Sequence, residues 1–306
     1  MQVMTPGRDR SSLRKLNAVV LLDKPSGCTS NAALQQVRKI YGAKKAGHTG
    51  SLDPAATGML PICFGEGTKL CGYLLNAAKT YEASGLLGVV TDTDDADGQI
   101  IAESVIPDID PEKMQQIVKG FLGESMQRPP IYSAIKKNGI RAHKMARNGE
   151  TPQLEARLVN VHEIELLQFD GVRFSVRMRV SKGTYVRSII RDIGEILGCG
   201  AHVTALRRLS VSPFDGHTMH SVEEMQEHAD KLLLNVDEVI SDWPSQTLDE
   251  STALKFRHGS KPLFDSPAQT PDELLRIYGP EETFLGLGKI SDGRLETVRI
   301  IGSQLQ

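Results

Sequence analysis

The stretch VNVHEIELLQFDGVRFSVRMRV, residues 159–180, decides the fold class. Apolar and polar residues alternate on both sides of Asp170-Gly171, a dipeptide that favours a tight turn between antiparallel strands. In the second half every other residue is apolar: Val172, Phe174, Val176, Met178 and Val180. Alternation with this period is typical of a strand that packs one face on a core. The sequence therefore predicts an antiparallel β-hairpin.

Outward from this hairpin, strand and helix patterns follow each other without a regular βαβ repeat. Strand character is found in LNAVVLLDKPSG (16–27) and KTYEASGLLGVV (79–90). Apolar residues at helical spacing predict four helices. The first is capped by Ser30 or Asn31, the second by Thr68, the third covers 111–122, and the fourth covers 188–198 and is closed by Gly198. This mixture predicts an α+β fold with a mixed, mainly antiparallel sheet and peripheral helices.

A second, smaller unit is predicted at the C-terminal end. The turn-forming residues of SDWPSQ (241–246) follow an acidic stretch and suggest a boundary at residues 245/246. Beyond it, LLRIYG, TFLGLGKIS and RLETVRII are short apolar pieces separated by Gly, Pro and Asp. This spacing predicts a small β-barrel over 246–306, after a first domain of 1–245 whose opening residues 1–16 are expected to be flexible.

The charge distribution points to a phosphate-rich partner, although the formal net charge is only -2. Residues 1–50 carry nine Lys or Arg against two acids, and 128–147 carry six without any acid. Residues 219–251 hold nine acids and one Lys. A single charge run is usually a solvated face, but several basic segments together favour a nucleic acid partner.

Several protein classes are disfavoured. There is no apolar run of about 18 residues and no signal-peptide core, so a membrane protein is not expected. The four cysteines lack zinc-site spacing and favour a reducing, cytoplasmic setting. In TDTDDADG (91–98) the calcium-loop register fails at two key ligand positions. The segments GCTS and GEGTK lack the full phosphate-loop pattern, so nucleotide hydrolysis is not expected, and no metal site is expected from the sequence.

The stretch AGHTGSLDPAATGMLP, residues 46–61, holds the candidate catalytic group. Its Gly and Pro content predicts a loop rather than a helix or a central strand. Asp53 precedes a proline, so it either closes a turn or supplies a carboxylate to a reaction. His48 is by itself more often structural than functional. Local context leaves both alternatives open.

The stretch SKGTYVR, residues 181–187, offers a partner for such a carboxylate. Tyr185 and Arg187 are two residues apart, which places both side chains on one face if the preceding strand continues this far. Arg187 is then either a solvated surface residue or the partner of a buried carboxylate. In the second case its charge would lower the pKa of that group and keep it ionised.

Seven blocks together closely resemble the TruB family of bacterial tRNA pseudouridine-55 synthases, in order and spacing from about residue 17 to the C-terminus. The blocks are LLDKPSGCTSN, AGHTGSLDPAATGMLPICFGEGTK, KTYEA, TDTDDADG, RPPIYSAIKKNG, SKGTYVRSIIRDIGEILGCGAHVTALRRL and the end domain. The resemblance implies isomerisation of the T-loop uridine 55 of tRNA to pseudouridine without a cofactor. The base is flipped out, its N1–C1′ bond is broken, and it is rejoined through C5.

The resemblance also implies roles for individual residues. Asp53 corresponds to the essential carboxylate, and Arg187 would pair with it. Tyr81 would stack on the flipped uracil and assist removal of the C5 proton, while His48 would fill the gap left in the base stack. The remaining positions would line or shape the substrate site: Tyr185, Leu206, Asp95, Lys24 and Pro25.

The expected partner is the T-arm of tRNA, held by the basic segments 128–147 and 38–45. The end domain resembles a PUA domain, a small RNA-binding β-barrel. A monomer without an obligate protein partner is expected. Two other classes of function remain open: a tRNA-binding or folding factor that acts independently of catalysis, and an unrelated Asp-dependent hydrolase.

Overall fold

In the computed structural model, which describes residues 13–137, 139–264 and 273–302, the chain mixes strands and helices as expected for an α+β fold. The strands are β1 (Val19–Lys24), β2 (Ala46–His48), β3 (Thr57–Phe64), β4 (Lys79–Leu87), β5 (Val89–Thr91), β6 (Ile100–Glu103), β7 (Gly123–Gln127), β8 (Lys136–Lys137), β9 (Ile140–Arg141), β10 (Arg157–Phe169), β11 (Arg173–Val180), β12 (Ala201–Val211), β13 (Ser245–Thr247), β14 (Leu274–Tyr278), β15 (Phe284–Ser291) and β16 (Arg294–Ile300). The α-helices are α1 (Ser30–Ile40), α2 (Cys71–Asn76), α3 (Pro111–Lys119), α4 (Ala142–Arg147), α5 (Val186–Leu197), α6 (Val222–His228) and α7 (Glu250–Arg257).

The central sheet contains eight strands in the order β1-β3-β12-β4-β11-β10-β7, with β2 joined to β3. Neighbouring strands run antiparallel except β3 and β12, which pair in parallel over two residues. The prediction of a mixed, mainly antiparallel sheet is therefore confirmed. Two short hairpins, β5-β6 and β8-β9, stand apart from it.

The predicted hairpin is present as β10 and β11. Their register runs from Val161 opposite Val180 to Phe169 opposite Phe174. At the turn, the Asp170 carboxylate accepts hydrogen bonds from the N–H groups of Val172 (2.9 Å) and Arg173 (2.6 Å). Four alternate side chains of β11 are buried in the main core: Phe174, Val176, Met178 and Val180.

The prediction that residues 46–61 form a loop is wrong at both ends. Residues 46–48 form β2, and β3 begins at Thr57, so the loop covers only 49–56. Pro61 is tolerated inside β3 because the neighbouring strand on one edge of β3 changes there. On that edge, β12 pairs with Thr57 and Gly58, and β2 pairs from Ile62 onward. The proline nitrogen has no N–H to donate, and its carbonyl accepts from Thr49 N–H at 3.2 Å.

The expected strand over 181–187 is also corrected. β11 ends at Val180, a turn follows in which Gly183 has a φ of +79°, and α5 begins at Val186. Arg187 is therefore in the first turn of a helix rather than at the end of a strand. Residues two apart on a helix point to different sides, so Tyr185 and Arg187 do not share a face.

The helices cover the sheet with the faces expected from their apolar spacing. α5 buries Ile189, Ile190 and Ile193, and Gly198 ends it with a φ of +77°. α1 buries Leu34 and Val37, but its N-cap is Thr29, which accepts from Ala32 N–H at 3.1 Å. Neither Ser30 nor Asn31, the two predicted caps, performs this role. The Thr68 hydroxyl donates to Gly65 O at 2.7 Å and does not cap α2.

The C-terminal strands form an open four-stranded sheet in the order β13-β14-β15-β16, and no pairing among the described residues closes it into the expected barrel. Its Phe284, Leu287 and Ile301 share a core cluster with residues of β1 and β3. Tyr73 and Trp243 meet edge to face there, with ring centroids 4.9 Å apart. Apolar packing of this kind holds the sheet against the preceding part of the chain.

The predicted flexible segment, residues 1–16, lies mostly outside the described residues. Within them, Arg14 exchanges backbone hydrogen bonds with Gly42 and Lys44, and Leu16 is buried, so residues 14–16 are ordered. Within the described ranges, no helix has both the length and the apolar character needed to cross a membrane.

Candidate active site

Asp53 lies in the 49–56 loop, and Ser30 at the start of α1 fixes the residue next to it. The Ser30 hydroxyl accepts a hydrogen bond from Leu52 N–H (2.8 Å) and donates one to Leu52 O (3.0 Å). Ser30 is 3% exposed and Leu52 is 6% exposed, so water does not compete for these bonds. The loop is therefore anchored one residue before the carboxylate.

Lys24, at the end of β1, anchors the loop one residue after Asp53. Its fully buried ammonium donates to Pro54 O (3.2 Å), Ala56 O (2.7 Å) and Pro25 O (2.8 Å). Burial lowers the pKa of Lys24, and the nearby Asp53 charge acts against that decrease. Lys24 and Pro25 thus lie beside the loop, as the predicted shaping role requires.

Arg187 reaches Asp53 from the first turn of α5, and its side chain is only 6% exposed. Its Nε lies 3.0 Å from Asp53 Oδ2, and its Nη1 lies 3.1 Å from Asp95 Oδ2. The same guanidinium donates to the carbonyls of Thr93 (2.6 Å) and Tyr132 (3.0 Å). One planar cation therefore links two carboxylates and two loops, which a point charge does not do as well.

The Asp53 carboxylate has a higher pKa than an ordinary Asp. Burial raises the pKa above its usual value of 3.8, the Arg187 charge opposes the rise, and Asp95 and Asp97 add to it. The Arg187 charge lowers the pKa as expected, but burial outweighs the cation, so the net direction is upward. The side chain is still 44% accessible, so the carboxylate faces an open cleft while protein surrounds its other sides.

This cleft is small, with a cavity volume of about 40 Å³. Its lining combines the two carboxylates and Arg187 with apolar and small residues: Ala55, Ala56, Ala96, Val203, Thr204, Ala205 and Leu206. Leu206 comes from β12 and packs against the main core. The recess therefore combines two carboxylates and a guanidinium with apolar and small side chains.

Tyr81 lies on the core-facing side of β4 and is 9% exposed. It belongs to the same packed cluster as Leu52 and Ala56, the residues on either side of the Asp53 turn. In the sheet, its backbone is opposite Met178 on one side and Arg208 on the other. An aromatic ring thus belongs to the core on which the Asp53 loop packs, and it is not among the residues that line the small cleft.

His48 ends β2, opposite Ile62 of β3, and directly precedes the loop that carries Asp53. Its Nδ1 is buried without a hydrogen-bond partner. Burial lowers the pKa of His48, and the charge of Arg208 lowers it further. Both effects favour the neutral imidazole, which suits a group that stacks rather than one that transfers protons.

Tyr185 is the expected lining residue that the structure does not bring to the cleft. Its backbone N–H donates to Gln127 Oε1 (2.8 Å), and its carbonyl accepts from Gln127 Nε2 (3.0 Å). The Arg157 guanidinium lies 5.2 Å from the centroid of its ring. Because Tyr185 precedes the helix and Arg187 lies inside it, the two side chains separate. Asp95, in contrast, is part of the cleft.

Sequence reasoning missed two supports of the loop, Ser30 and Arg208. Arg208 of β12 donates from Nε to Met59 O (2.7 Å) and from Nη2 to Gly50 O (3.1 Å). Both residues lie inside the motif blocks KPSGCTSN and HVTALRRL. The motifs identified the segments that contain Ser30 and Arg208, but they did not predict which backbone groups these side chains bind.

The basic segments expected to hold RNA are exposed. In 38–45 the exposed cations are Lys39, Lys44 and Lys45, and in 128–147 they are Arg128, Lys136, Arg141, Lys144 and Arg147. The second segment is tied to the site through its backbone. The Arg128 carbonyl accepts from Ser188 (3.0 Å) and Arg191 (3.0 Å), and the Tyr132 carbonyl accepts from Arg187.

Comparison with known proteins gives three family models that match consecutive parts of the chain. The TruB family pseudouridylate synthase (N terminal domain) matches residues 38–186. The tRNA pseudouridylate synthase B C-terminal domain matches 187–241, and Pseudouridine synthase II TruB, C-terminal, matches 244–301.

Curated relatives extend over nearly the whole chain. The tRNA pseudouridine synthase B of Xanthomonas axonopodis pv. citri (strain 306) is 44% identical over 300 residues, which are 96% of each chain. The protein of the same name from Stutzerimonas stutzeri (strain A1501) is 41% identical and covers 95% of this chain and 97% of its own.

Two solved structures share the fold. A chain from a Cbf5-Nop10-Gar1 complex has a TM-score of 0.70 at 25% identity, covering 97% of this chain and 87% of its own. A chain from an H/ACA RNP bound to a substrate RNA containing 2'-deoxyuridine has a TM-score of 0.72 at 24% identity, covering 94% and 85%. Fold and family models together define the class as the pseudouridylate synthases. Within this class, the chain belongs to the TruB family.

Proposed function

We propose that this protein isomerises uridine 55 in the T-loop of tRNA to pseudouridine, with Asp53 as the catalytic carboxylate. The observation that carries the proposal is the ion pair of Arg187 with Asp53 at the cleft, in a chain of a pseudouridine synthase family. The reaction breaks the N1–C1′ bond and forms a C5–C1′ bond. No atom is gained or lost overall, and the proposal includes no cofactor.

Asp53 acts in its ionised form in each of three routes: addition to the base, attack on C1′, or removal of the ribose 2′ proton. Arg187 stabilises this form, and the pKa that burial has raised makes the carboxylate more basic than an exposed Asp. A more basic carboxylate is a better base and a better nucleophile. The Arg187 contact therefore keeps the carboxylate charged while burial keeps it reactive.

The uridine is flipped into the site because its C1′ and C5 atoms are inaccessible inside a folded T-arm. Flipping costs a few kcal/mol of stacking and pairing. Stacking on Tyr81, in the same cluster as the Asp53 loop, returns about 1–3 kcal/mol. Leu206 supplies apolar contact, and Asp95 supplies a polar contact to the uracil edge. His48, in its neutral form, fills the position that the base leaves.

The T-arm backbone is held by the exposed cations of 38–45 and 128–147, an interaction that weakens with salt. We place the synthase domain in residues 1–245 and an RNA-binding, PUA-like domain in 246–306. The protein acts as a monomer in the cytoplasm, where its tRNA substrate is found. Tyr185, held through its backbone by Gln127, directly precedes the helix that carries Arg187.

An assay of unmodified tRNA transcript with wild type and Asp53→Asn tests the proposal. Wild type is expected to form pseudouridine at the T-loop uridine, and Asp53→Asn is expected to bind the transcript without product. Absence of product with wild type, or full activity of Asp53→Asn, contradicts it. Refolding of misfolded tRNA by both proteins, with no pseudouridine from either, would instead establish the folding-factor function.

A further inference from the structure

Arg208 is a buried cation that supports the Asp53 loop and has no part in the proposed reaction as described above. It is 1% exposed and is one of the largest fully enclosed side chains in the described residues. Its neighbour Arg207 points to the other face of β12 and forms an ordinary ion pair, with Nη2 2.7 Å from Asp23 Oδ2. Arg207, in a partly exposed ion pair, is therefore a suitable comparison for Arg208, which is buried and holds the loop.

The Arg208 guanidinium joins the loop to the sheet. Its Nε donates to Met59 O of β3 at 2.7 Å, and its Nη2 donates to Gly50 O at 3.1 Å. Gly50 lies between His48 and Asp53. Because one rigid, planar group makes both bonds, the separation between the loop and β3 is fixed by covalent geometry.

Gly50 packs close to the Arg208 guanidinium in a backbone conformation that favours glycine. Its φ is +82°, and a Cβ built on it would be 3.7 Å from both Arg208 Nη1 and Lys79 Cε. The Arg208 backbone approaches β3 more closely, since a Cβ on Gly58 would lie 2.1 Å from the Arg208 carbonyl oxygen. Loop, strand and guanidinium therefore form one packed unit, with Tyr81 of β4 opposite Arg208 in the sheet.

The charge of Arg208 is satisfied by carbonyls rather than by an acid. Among the described residues, none of the carboxylates forms an ion pair with it. A guanidinium stays charged in proteins, so Arg208 is a permanent cation with hydrogen-bond donors. An apolar side chain of similar length would fill the space without these donors. A buried charge is costly unless its hydrogen bonds are made, which ties Arg208 firmly to Gly50 and Met59.

We propose that Arg208 is a positioning residue for the reaction, which holds Gly50 so that Asp53 and His48 keep their places relative to the flipped nucleotide. It acts through the loop backbone and does not touch substrate. The inference rests on the proposed function. Its expected signature is a loss of rate at a nearly constant affinity for RNA, because catalysis is more sensitive than binding to small displacements of the reacting group.

The test compares Arg208→Met, Arg208→Lys and the matched control Arg207→Met. Three quantities are measured: the single-turnover rate of pseudouridine formation on a T-arm transcript, the dissociation constant for that transcript, and the thermal unfolding midpoint. Arg208→Met is expected to lower the rate about 10- to 100-fold with affinity within about 3-fold. Arg208→Lys makes one of the two bonds and recovers part of the rate. Arg207→Met keeps the wild-type rate.

A folded Arg208→Met with the wild-type rate overturns the inference, as does an equal loss of rate in Arg207→Met or a loss confined to affinity. If Arg208→Met does not fold, Arg208→Lys decides: a lower rate at an unchanged unfolding midpoint supports the role, and a wild-type rate overturns it. Failure of the proposed function is separate, since it would be seen as absence of product with the wild-type enzyme.

Discussion

Ser30 and Leu52 are joined by two hydrogen bonds through a single hydroxyl, which accepts from the Leu52 N–H at 2.8 Å and donates to the Leu52 carbonyl at 3.0 Å. The two residues are 22 positions apart and are both buried. Since Asp53 follows Leu52 directly, the first residue of α1 helps to set the position of the candidate catalytic carboxylate.

Ser30→Ala is expected to lower both stability and activity. It leaves the N–H and C=O of Leu52 buried without partners, at a cost of about 1–3 kcal/mol. The loop also gains freedom next to Asp53, so the rate of pseudouridine formation should fall while tRNA affinity is maintained. Thermal unfolding and single-turnover kinetics measure the two effects.

Thr29→Ala is the matched control for Ser30→Ala. It removes the true N-cap of α1, at a cost of about 1 kcal/mol. Its hydroxyl accepts from Ala32 N–H within α1 rather than from the Asp53 loop, so we expect reduced stability at the wild-type rate. Equal rates for the two variants would show that the Ser30 contact does not position Asp53.

Arg187→Lys is expected to reduce the single-turnover rate on the order of 100-fold. Arg187 contacts Asp53, Asp95, Thr93 and Tyr132 at once, and a lysine ammonium does not reproduce this planar arrangement. Arg177→Lys is a suitable control, because Arg177 forms an exposed pair with Glu82 on the sheet surface. Equal turnover of Arg187→Lys and wild type would contradict the role assigned to the ion pair.

The sequence predicted the parts of the fold whose signals are local. The β10-β11 hairpin follows from the alternation around Asp170-Gly171, and α5 follows from apolar spacing closed by Gly198. The strand β3 was missed because Pro61 argues against a central strand. Only the change of strand partner beside it, a property of the assembled sheet, explains why the proline is tolerated.

The sequence predicted those residues of the candidate site that lie in recognisable motifs and whose pairing the motifs imply. The motifs suggested Asp53 and Arg187 as partners, and the structure brings them within 3.0 Å. The support of Gly50 by Arg208 spans 158 residues and depends on packing between β3 and β12, which no local pattern encodes. The shared face expected for Tyr185 and Arg187 is absent for a related reason: alternation in SKGTYVR does not reveal that the chain turns at Gly183 and enters a helix.

Tyr81→Phe tests whether the Tyr81 hydroxyl takes part in the chemistry. The ring remains, so stacking on the flipped base and affinity for tRNA should be close to those of wild type. Loss of the hydroxyl should slow removal of the C5 proton, by about 100-fold or more for a lost acid-base group. The measurement is product formation in single turnover, with Tyr73→Phe as a control outside the site. A normal rate would restrict Tyr81 to stacking.

The pH dependence of activity is expected to report the raised pKa of Asp53. Because the reaction uses the ionised carboxylate, kcat/KM should fall as pH decreases through that pKa, with a midpoint above the ordinary value of 3.8. Arg187 lowers the pKa of Asp53, so Arg187→Gln should move the midpoint upward. Asp95 raises it, so Asp95→Asn should move the midpoint downward.

These opposite shifts separate an effect on Asp53 from general damage to the enzyme. General damage would lower the activity of both variants, but it would not move their pH midpoints in opposite directions. The measurement is kcat/KM for a T-arm transcript across the acidic range, with circular dichroism at each pH to confirm that the fold is intact. Arg177→Gln removes an exposed cation remote from the cleft and should leave the midpoint in place. Shifts of the same sign in Arg187→Gln and Asp95→Asn would mean that the acid limb belongs to a group other than Asp53.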